Sequence, residues 1–178
     1  MAVEVILSTR RMREVRIPED RVAVLIGEGG ETKERVEELI DCDLEVQDNL
    51  VSVEGDPIDE MDGANIVKAV GRGFNPEKAM KIAEIDKMLH IIDINNFAST
   101  ENSRDRLKGR VIGRDGETRR HLEKEGNVDI SIYGKTIGII GLAQNIEVVA
   151  EVIKQLLNGR SHSSAYNYLE KNQDKIQR

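Results

Sequence analysis

This chain of 178 residues carries the same pattern twice, and that repeat constrains its fold more than any other feature. Ile26-Gly27-Glu28-Gly29-Gly30-Glu31-Thr32 falls on Ile112-Gly113-Arg114-Asp115-Gly116-Glu117-Thr118. In the same register Val36 meets Leu122, Asp43-Leu44 meets Asp129-Ile130, and Val46 meets Ile132. Val51 and Val53 then meet Ile137 and Ile139, Gly55 meets Gly141, and Gly73 meets Gly159. Chance could repeat the glycines but not the alternating apolar positions as well, because each set marks the buried face of one element at its own period.

Each copy divides into elements by that period. Glu31 to Ile40 and Glu117 to Glu125 are charged, helix-favouring segments, the first with Val36, Leu39 and Ile40 on one face. Leu44 to Val46 and Ile130 to Ile132, followed by Val51 to Val53 and Ile137 to Ile139, alternate as half-buried strands do, with turns at Asp48-Asn49 and Tyr133-Gly134. A closing helix is plainest in the second copy, where Ile146, Val149, Ile153 and Leu156 step by three and four; Gly73 and Gly159 suit helix stops. Upstream, Arg21 to Ile26 and Arg106 to Ile112 read as short helices, with strands around Val15 to Ile17 and Leu89 to Ile94 before them. Asn75-Pro76-Glu77 has the chemistry of a helix start and predicts a linking helix to about Lys87. The order strand, helix, glycine loop, helix, strand, strand, helix is that of a type I KH domain. The predicted fold is α+β: two tandem type I KH domains, each a three-stranded antiparallel sheet packed against three helices. Residues 1–74 form the first, 75–160 the linking helix and the second, and 161–178 a helical tail.

Charge separates the two copies. The formal net charge is -7, but up to Phe74 about nine basic side chains face eighteen acidic ones, and from Asn75 onward about seventeen face fifteen. The one dense basic stretch runs from Arg104 to Arg120 and holds Arg104, Arg106, Lys108, Arg110, Arg114, Arg119 and Arg120. A sugar-phosphate backbone is bound mainly by Lys and Arg displacing condensed counterions, so this distribution favours the second copy for nucleic acid.

Glycines flanking two residues between helices permit a sharp turn and let a backbone approach without meeting a Cβ. The following helix offers unpaired N–H groups and the positive end of its dipole to phosphate. A KH domain clamps about four nucleotides of single-stranded RNA this way. The RNA-binding residues expected are Lys108, Arg110, Gly113, Arg114, Asp115, Gly116, Arg119 and Arg120. The first loop, Gly27, Glu28, Gly29 and Gly30, puts a carboxylate where the second puts a guanidinium. A like charge near 5 Å from phosphate costs about 1 kcal/mol in high dielectric, so weak RNA binding or protein binding is expected there.

The segments Ile17-Pro18-Glu19-Asp20-Arg21, Val67-Lys68-Ala69-Val70-Gly71-Arg72-Gly73-Phe74-Asn75-Pro76-Glu77-Lys78-Ala79 and Lys108-Gly109-Arg110-Val111-Ile112-Gly113-Arg114-Asp115-Gly116 carry a resemblance spanning nearly the whole chain. It resembles the archaeal and eukaryotic KH-domain family of small-subunit rRNA-processing proteins, partners of the endonuclease that trims the rRNA 3′ end. The resemblance implies a ribosome-assembly factor that meets the 3′ region of small-subunit rRNA through its second module. The protein partners it implies are the processing endonuclease, an rRNA dimethyltransferase and the alpha subunit of an initiation factor.

Other chemistries find little support. The first loop lacks the Gly-Lys-Ser/Thr ending of a phosphate-binding loop and the spacing of the dinucleotide fingerprint, so no nucleotide cofactor is expected. His90, His121 and His162 are far apart and share no zinc-like spacing with Cys42; Asp41, Asp43 and Glu45 lack the glycine a calcium loop needs. No nucleophile, base and orienting residue can be assembled, so no enzyme is expected. Met1-Ala2-Val3-Glu4 does not open like a signal peptide, no run is apolar enough for a membrane helix, and a cytoplasmic protein is expected. Tyr166 and Tyr168 suit either base stacking or packing of a tail helix. A second class of function stays open: a protein-binding adaptor that uses the KH folds as scaffolds, which the acidic first half favours.

Overall fold

The computed structural model describes residues 10–178, so the leader reading at Met1 to Glu4 lies outside the described residues. The described chain divides into two compact units between Gly71 and Arg72.

The first unit runs β1 (Arg11–Arg16), α1 (Glu19–Ile26), α2 (Glu31–Ile40), β2 (Asp43–Gln47), β3 (Leu50–Gly55) and α3 (Pro57–Gly71). Its antiparallel sheet has the order β1-β3-β2, and Val53 faces Arg13 on one side and Leu44 on the other. Alternation in β2 and β3 buries Leu44, Val51 and Val53, and the helices contribute the buried Leu25, Val36, Ile66, Val67 and Val70. Leu39, expected on the buried face of α2, is 50% exposed. Val36 and Ile40, one turn apart, already fill the space above the sheet, and Leu39 falls to their flank.

The second unit begins with α4 (Pro76–Ala79), a four-residue helix that tightens into a 3₁₀ turn over Met80–Ala83. Asn75 caps it by accepting a 2.9 Å hydrogen bond from the Lys78 N–H. The linking helix therefore stops well short of Lys87. Glu84 is extended and Asp86 left-handed, which turns the chain into the next strand. Then come β4 (Lys87–Asp93), α5 (Glu101–Ile112), α6 (Glu117–Gly126), β5 (Asp129–Tyr133), β6 (Thr136–Leu142), α7 (Ala143–Leu157) and α8 (His162–Lys171). The antiparallel sheet order is β4-β6-β5, and Ile92, Ile130, Ile137 and Ile139 pack with Leu107, Leu122, Val149, Ile153 and Leu156.

The second hairpin differs from the sequence expectation in two respects. The β5–β6 turn is Gly134-Lys135, with Tyr133 still in the strand opposite Thr136. β6 is buried on both faces, not one. Phe74 lies across its second face, and a Cβ at Gly138 would come within 2.6 Å of the Phe74 ring. The turn Met80–Ala83 also packs on β4 and β6, and Phe74, Ala79 and Ile82 are buried.

Candidate nucleic-acid interface

The loop between α5 and α6 is held by sterics. Gly113 has φ +74° and ψ 176°, a conformation essentially reserved for glycine, and a Cβ there would stand 2.2 Å from Thr118 Oγ1. Gly27 repeats this with φ +74°, ψ 178° and a 2.3 Å approach to Thr32 Oγ1. The glycine and the threonine five positions on form one device, which is why both recur in the repeat. Asp115 (φ +51°) and Gly116 (φ +78°) then turn the chain left-handed into α6, as Gly29 (φ +61°) and Gly30 (φ +91°) do into α2. No side chain caps α6 or α2; the N–H of Glu117 returns to the Arg114 carbonyl and that of Glu31 to the Glu28 carbonyl, and the positive end of each helix dipole faces its loop.

Backbones that match so closely leave charge as the difference. Arg114 and Asp115 are exposed in the second loop, Glu28 and Gly29 in the first. Arg120 folds back over its loop, with one guanidinium nitrogen 3.2 Å from where a Gly116 Cβ would stand. Ile112, just before the loop, is 36% exposed and supplies an apolar surface beside these cations. Arg119 faces Glu123 at 3.8 Å, and Lys108 pairs with Asp105 at 2.7 Å.

Arg110 goes elsewhere. Its Nε donates to the Leu156 carbonyl at 3.0 Å, another guanidinium nitrogen donates to the Arg160 carbonyl, and its own carbonyl meets His162 Nε2 at 2.8 Å. In the first unit Arg21 Nε donates at 2.8 Å to the carbonyl of Val70, the position that Leu156 occupies in the repeat. An arginine on the helix before the glycine loop, α1 or α5, thus satisfies the open carbonyl end of α3 or α7. Arg110 is separated from the loop cations by this duty.

Sequence reasoning passed over the supports of the loop. The Tyr166 hydroxyl donates to Thr118 Oγ1 at 3.1 Å, and its ring lies 4.4 Å from the His121 ring. Tyr168 packs on the core, so both tyrosines hold α8 in place. The signal for Thr118 is in the sequence, in the repeated Glu-Thr after each loop. Glu123 accepts the Ile130 N–H at 2.9 Å, and Glu37 accepts the Leu44 N–H at 2.7 Å, tying α6 to the edge strand β5 and α2 to the edge strand β2. Below α6, Lys78 reaches Glu123 (3.2 Å) and Asp129 (3.0 Å), and Lys81 reaches Asp129 (2.6 Å). Burial alone would push the Asp129 carboxyl up, but hydrogen bonds from Lys81 and Lys78 hold it below the usual carboxylate range. Burial works against the Lys78 ammonium too, and Asp129 with Glu123 keeps it above its ordinary value. In the first unit, burial pushes the Cys42 thiol up to about 11, which leaves it a packing residue at neutral pH. Among the described residues, no helix is long and apolar enough to cross a membrane, and no cluster of His, Cys, Asp and Glu is arranged to hold a metal.

Comparison with known proteins places this arrangement. Residues 88–174 match the family model of the eukaryotic type KH domain, KH domain type I, in its form as the second such domain of PNO1. A KH domain-containing protein of Methanocaldococcus jannaschii is 41% identical over 92% of this chain and 75% of its own length. The pre-rRNA-processing protein PNO1 of Chaetomium thermophilum is 29% identical over 60% of this chain, a match that spans only 42% of that longer protein. Among solved structures, Dim2p from Pyrococcus horikoshii is 35% identical with a TM-score of 0.86, covering 90% of this chain and 99% of that one. A chain in the Pyrococcus horikoshii complex of a/eIF2alpha, aDim2p and rRNA is 34% identical with a TM-score of 0.89, covering 94% and 97%. With the glycine loops, the paired sheets and these matches together, the chain belongs to the Dim2/PNO1 family of KH-domain pre-rRNA-processing proteins.

Proposed function

We propose that this protein is a tandem type I KH protein that binds single-stranded RNA near the 3′ end of small-subunit rRNA, mainly through its second unit, during ribosome assembly. The carrying observation is that two loops of the same backbone present opposite charge, Arg114 in one and Glu28 in the other. Phosphate contact supplies most of the affinity for a single strand, so that difference decides which loop engages RNA. Gly113 and Gly116 admit the strand, Arg114, Arg119 and Arg120 meet its phosphates, and Asp115 holds the left-handed turn. Lys108 stands at the upstream edge, while Arg110 supports the fold. The relative solved as a complex with a/eIF2alpha and rRNA supports both an RNA ligand and an initiation-factor alpha subunit as partner. The acidic first unit suits such a protein partner, and the processing endonuclease and the rRNA dimethyltransferase are proposed for it on the family resemblance alone. No catalytic role is proposed.

The test is fluorescence anisotropy with a labelled single-stranded RNA of the small-subunit 3′ end. Arg114→Asp combined with Gly116→Asp should weaken binding at least a hundredfold while circular dichroism stays unchanged. Affinity equal to that of the parent protein would leave the adaptor reading in its place.

A further inference from the structure

Beside the loop, α6 and the segment Lys78 to Lys87 enclose a groove of about 510 Å³. Its charged lining is Lys78, Lys81, Lys87, Arg120 and Lys124 against Glu123 and Asp129. Five cations face two carboxylates there. Both carboxylates are already engaged, Glu123 by Lys78 and the Ile130 N–H, Asp129 by Lys78 and Lys81. Just outside the lining, Lys87 pairs with Glu84 at 2.5 Å and Lys124 approaches Glu125 at 3.9 Å, so four acids answer five cations and the surplus positive charge falls to Arg120; the size of the groove suits a sugar and phosphate.

Arg120 joins this groove to the loop. Its guanidinium lies over Gly116 and it also lines the groove. Lys124 is one helical turn further, about 6 Å along α6, and its side chain is 84% exposed. The repeat supplies an internal comparison. Arg114, Arg120 and Lys124 correspond in register to Glu28, Glu34 and Glu38, all exposed, so the first unit presents three carboxylates where the second presents three cations. The three positions keep one sign in each unit, although Glu123 lies among them on α6 and is bound by Lys78.

Building on the loop assignment above, we infer that this groove is a second phosphate subsite. The strand leaving the loop Gly113–Gly116 passes Arg120 and continues into the groove, so the second unit engages more nucleotides than the loop alone can hold. The linker lysines Lys78 and Lys81 then serve two purposes, keeping the turn on β5 through Asp129 and lending charge to the groove.

The experiment uses the full chain and two labelled single-stranded RNAs, one of about four nucleotides and one of about twelve. Lys87→Glu with Lys124→Glu should weaken the longer RNA at least tenfold and the shorter by less than twofold. The salt slope for the longer RNA should become shallower by about 1.4, since each phosphate contact on a single strand contributes about 0.7. Lys87→Arg with Lys124→Arg should keep parental affinity, which separates charge from folding. Equal losses for both lengths, or no loss for either, overturn the subsite. The same holds if the reversal abolishes binding of an acidic peptide such as polyglutamate and leaves the longer RNA untouched. The Arg114→Asp, Gly116→Asp protein runs alongside. If it still binds the short RNA, the loop assignment fails; if only it loses the short RNA and the groove variant behaves as the parent, the loop stands and the subsite falls.

Discussion

Arg110 and Arg114 sit on either side of Gly113 in one basic run, and nothing in that run distinguishes them. Their surroundings do. Arg110 closes the end of α7 through the Leu156 and Arg160 carbonyls, whereas Arg114 stands exposed in the loop. Arg110→Ala should therefore cost about 1.5–3 kcal/mol of stability, the worth of charged hydrogen bonds to otherwise open carbonyls. Arg114→Ala should cost under about 0.5 kcal/mol, as exposed substitutions do. Urea unfolding of both variants checks this, and in RNA titration the order should reverse, with Arg114→Ala the weaker binder. A side chain's partner can lie anywhere in the sequence, and for Arg110 the partners are on a helix end that only folding brings near.

At the scale of elements, the two units solve one packing problem in different ways. The repeat sets Ile40 on α2 and Gly63 on α3 in register with Gly126 on α6 and Val149 on α7; the space at Gly63 is taken by Val53 and Cys42, whereas Val149 itself fills the space at Gly126. A Cβ at Gly126 would stand 2.2 Å from Val149 Cγ2. Gly126→Ala should destabilise the second unit by about 1–3 kcal/mol through overpacking, and adding Val149→Ala should recover part of that loss, a coupling visible in a double-mutant cycle by denaturant unfolding. The elements themselves were largely legible, since α2, α6 and the hairpin strands fall where periodicity puts them. The linking helix and β6 were less so. Asn75 and Pro76 mark a helix start clearly, but where it stops depended on Lys87 being drawn into β4, and the second face of β6 became buried because Phe74 and the turn Met80–Ala83 lie on it. Local chemistry announces beginnings, while ends and burial depend on partners remote in sequence.

Across the whole molecule, the duplication makes a direct exchange of function feasible. Glu28→Arg, Glu34→Arg and Glu38→Lys give the first unit the charges of the second on a loop of the same backbone. In a chain whose second loop carries Arg114→Asp and Gly116→Asp, this triple substitution should restore single-stranded RNA binding at least tenfold, measured by anisotropy at constant salt. No recovery would mean that the first unit lacks the apolar walls or the space, charge aside. What the amino-acid order determined unaided is the duplication, the α+β succession of elements and the sign of charge at each loop, because periodicity, glycine placement and ionisation are properties of neighbours in the chain. Tertiary structure alone decided which cations stay free and which are spent on carbonyls, how Thr118 and Tyr166 brace the loop, and that Arg120 and the linker lysines share one groove. Those depend on contacts between segments tens of residues apart, where burial and geometry, which no local pattern records, set the energy of each group.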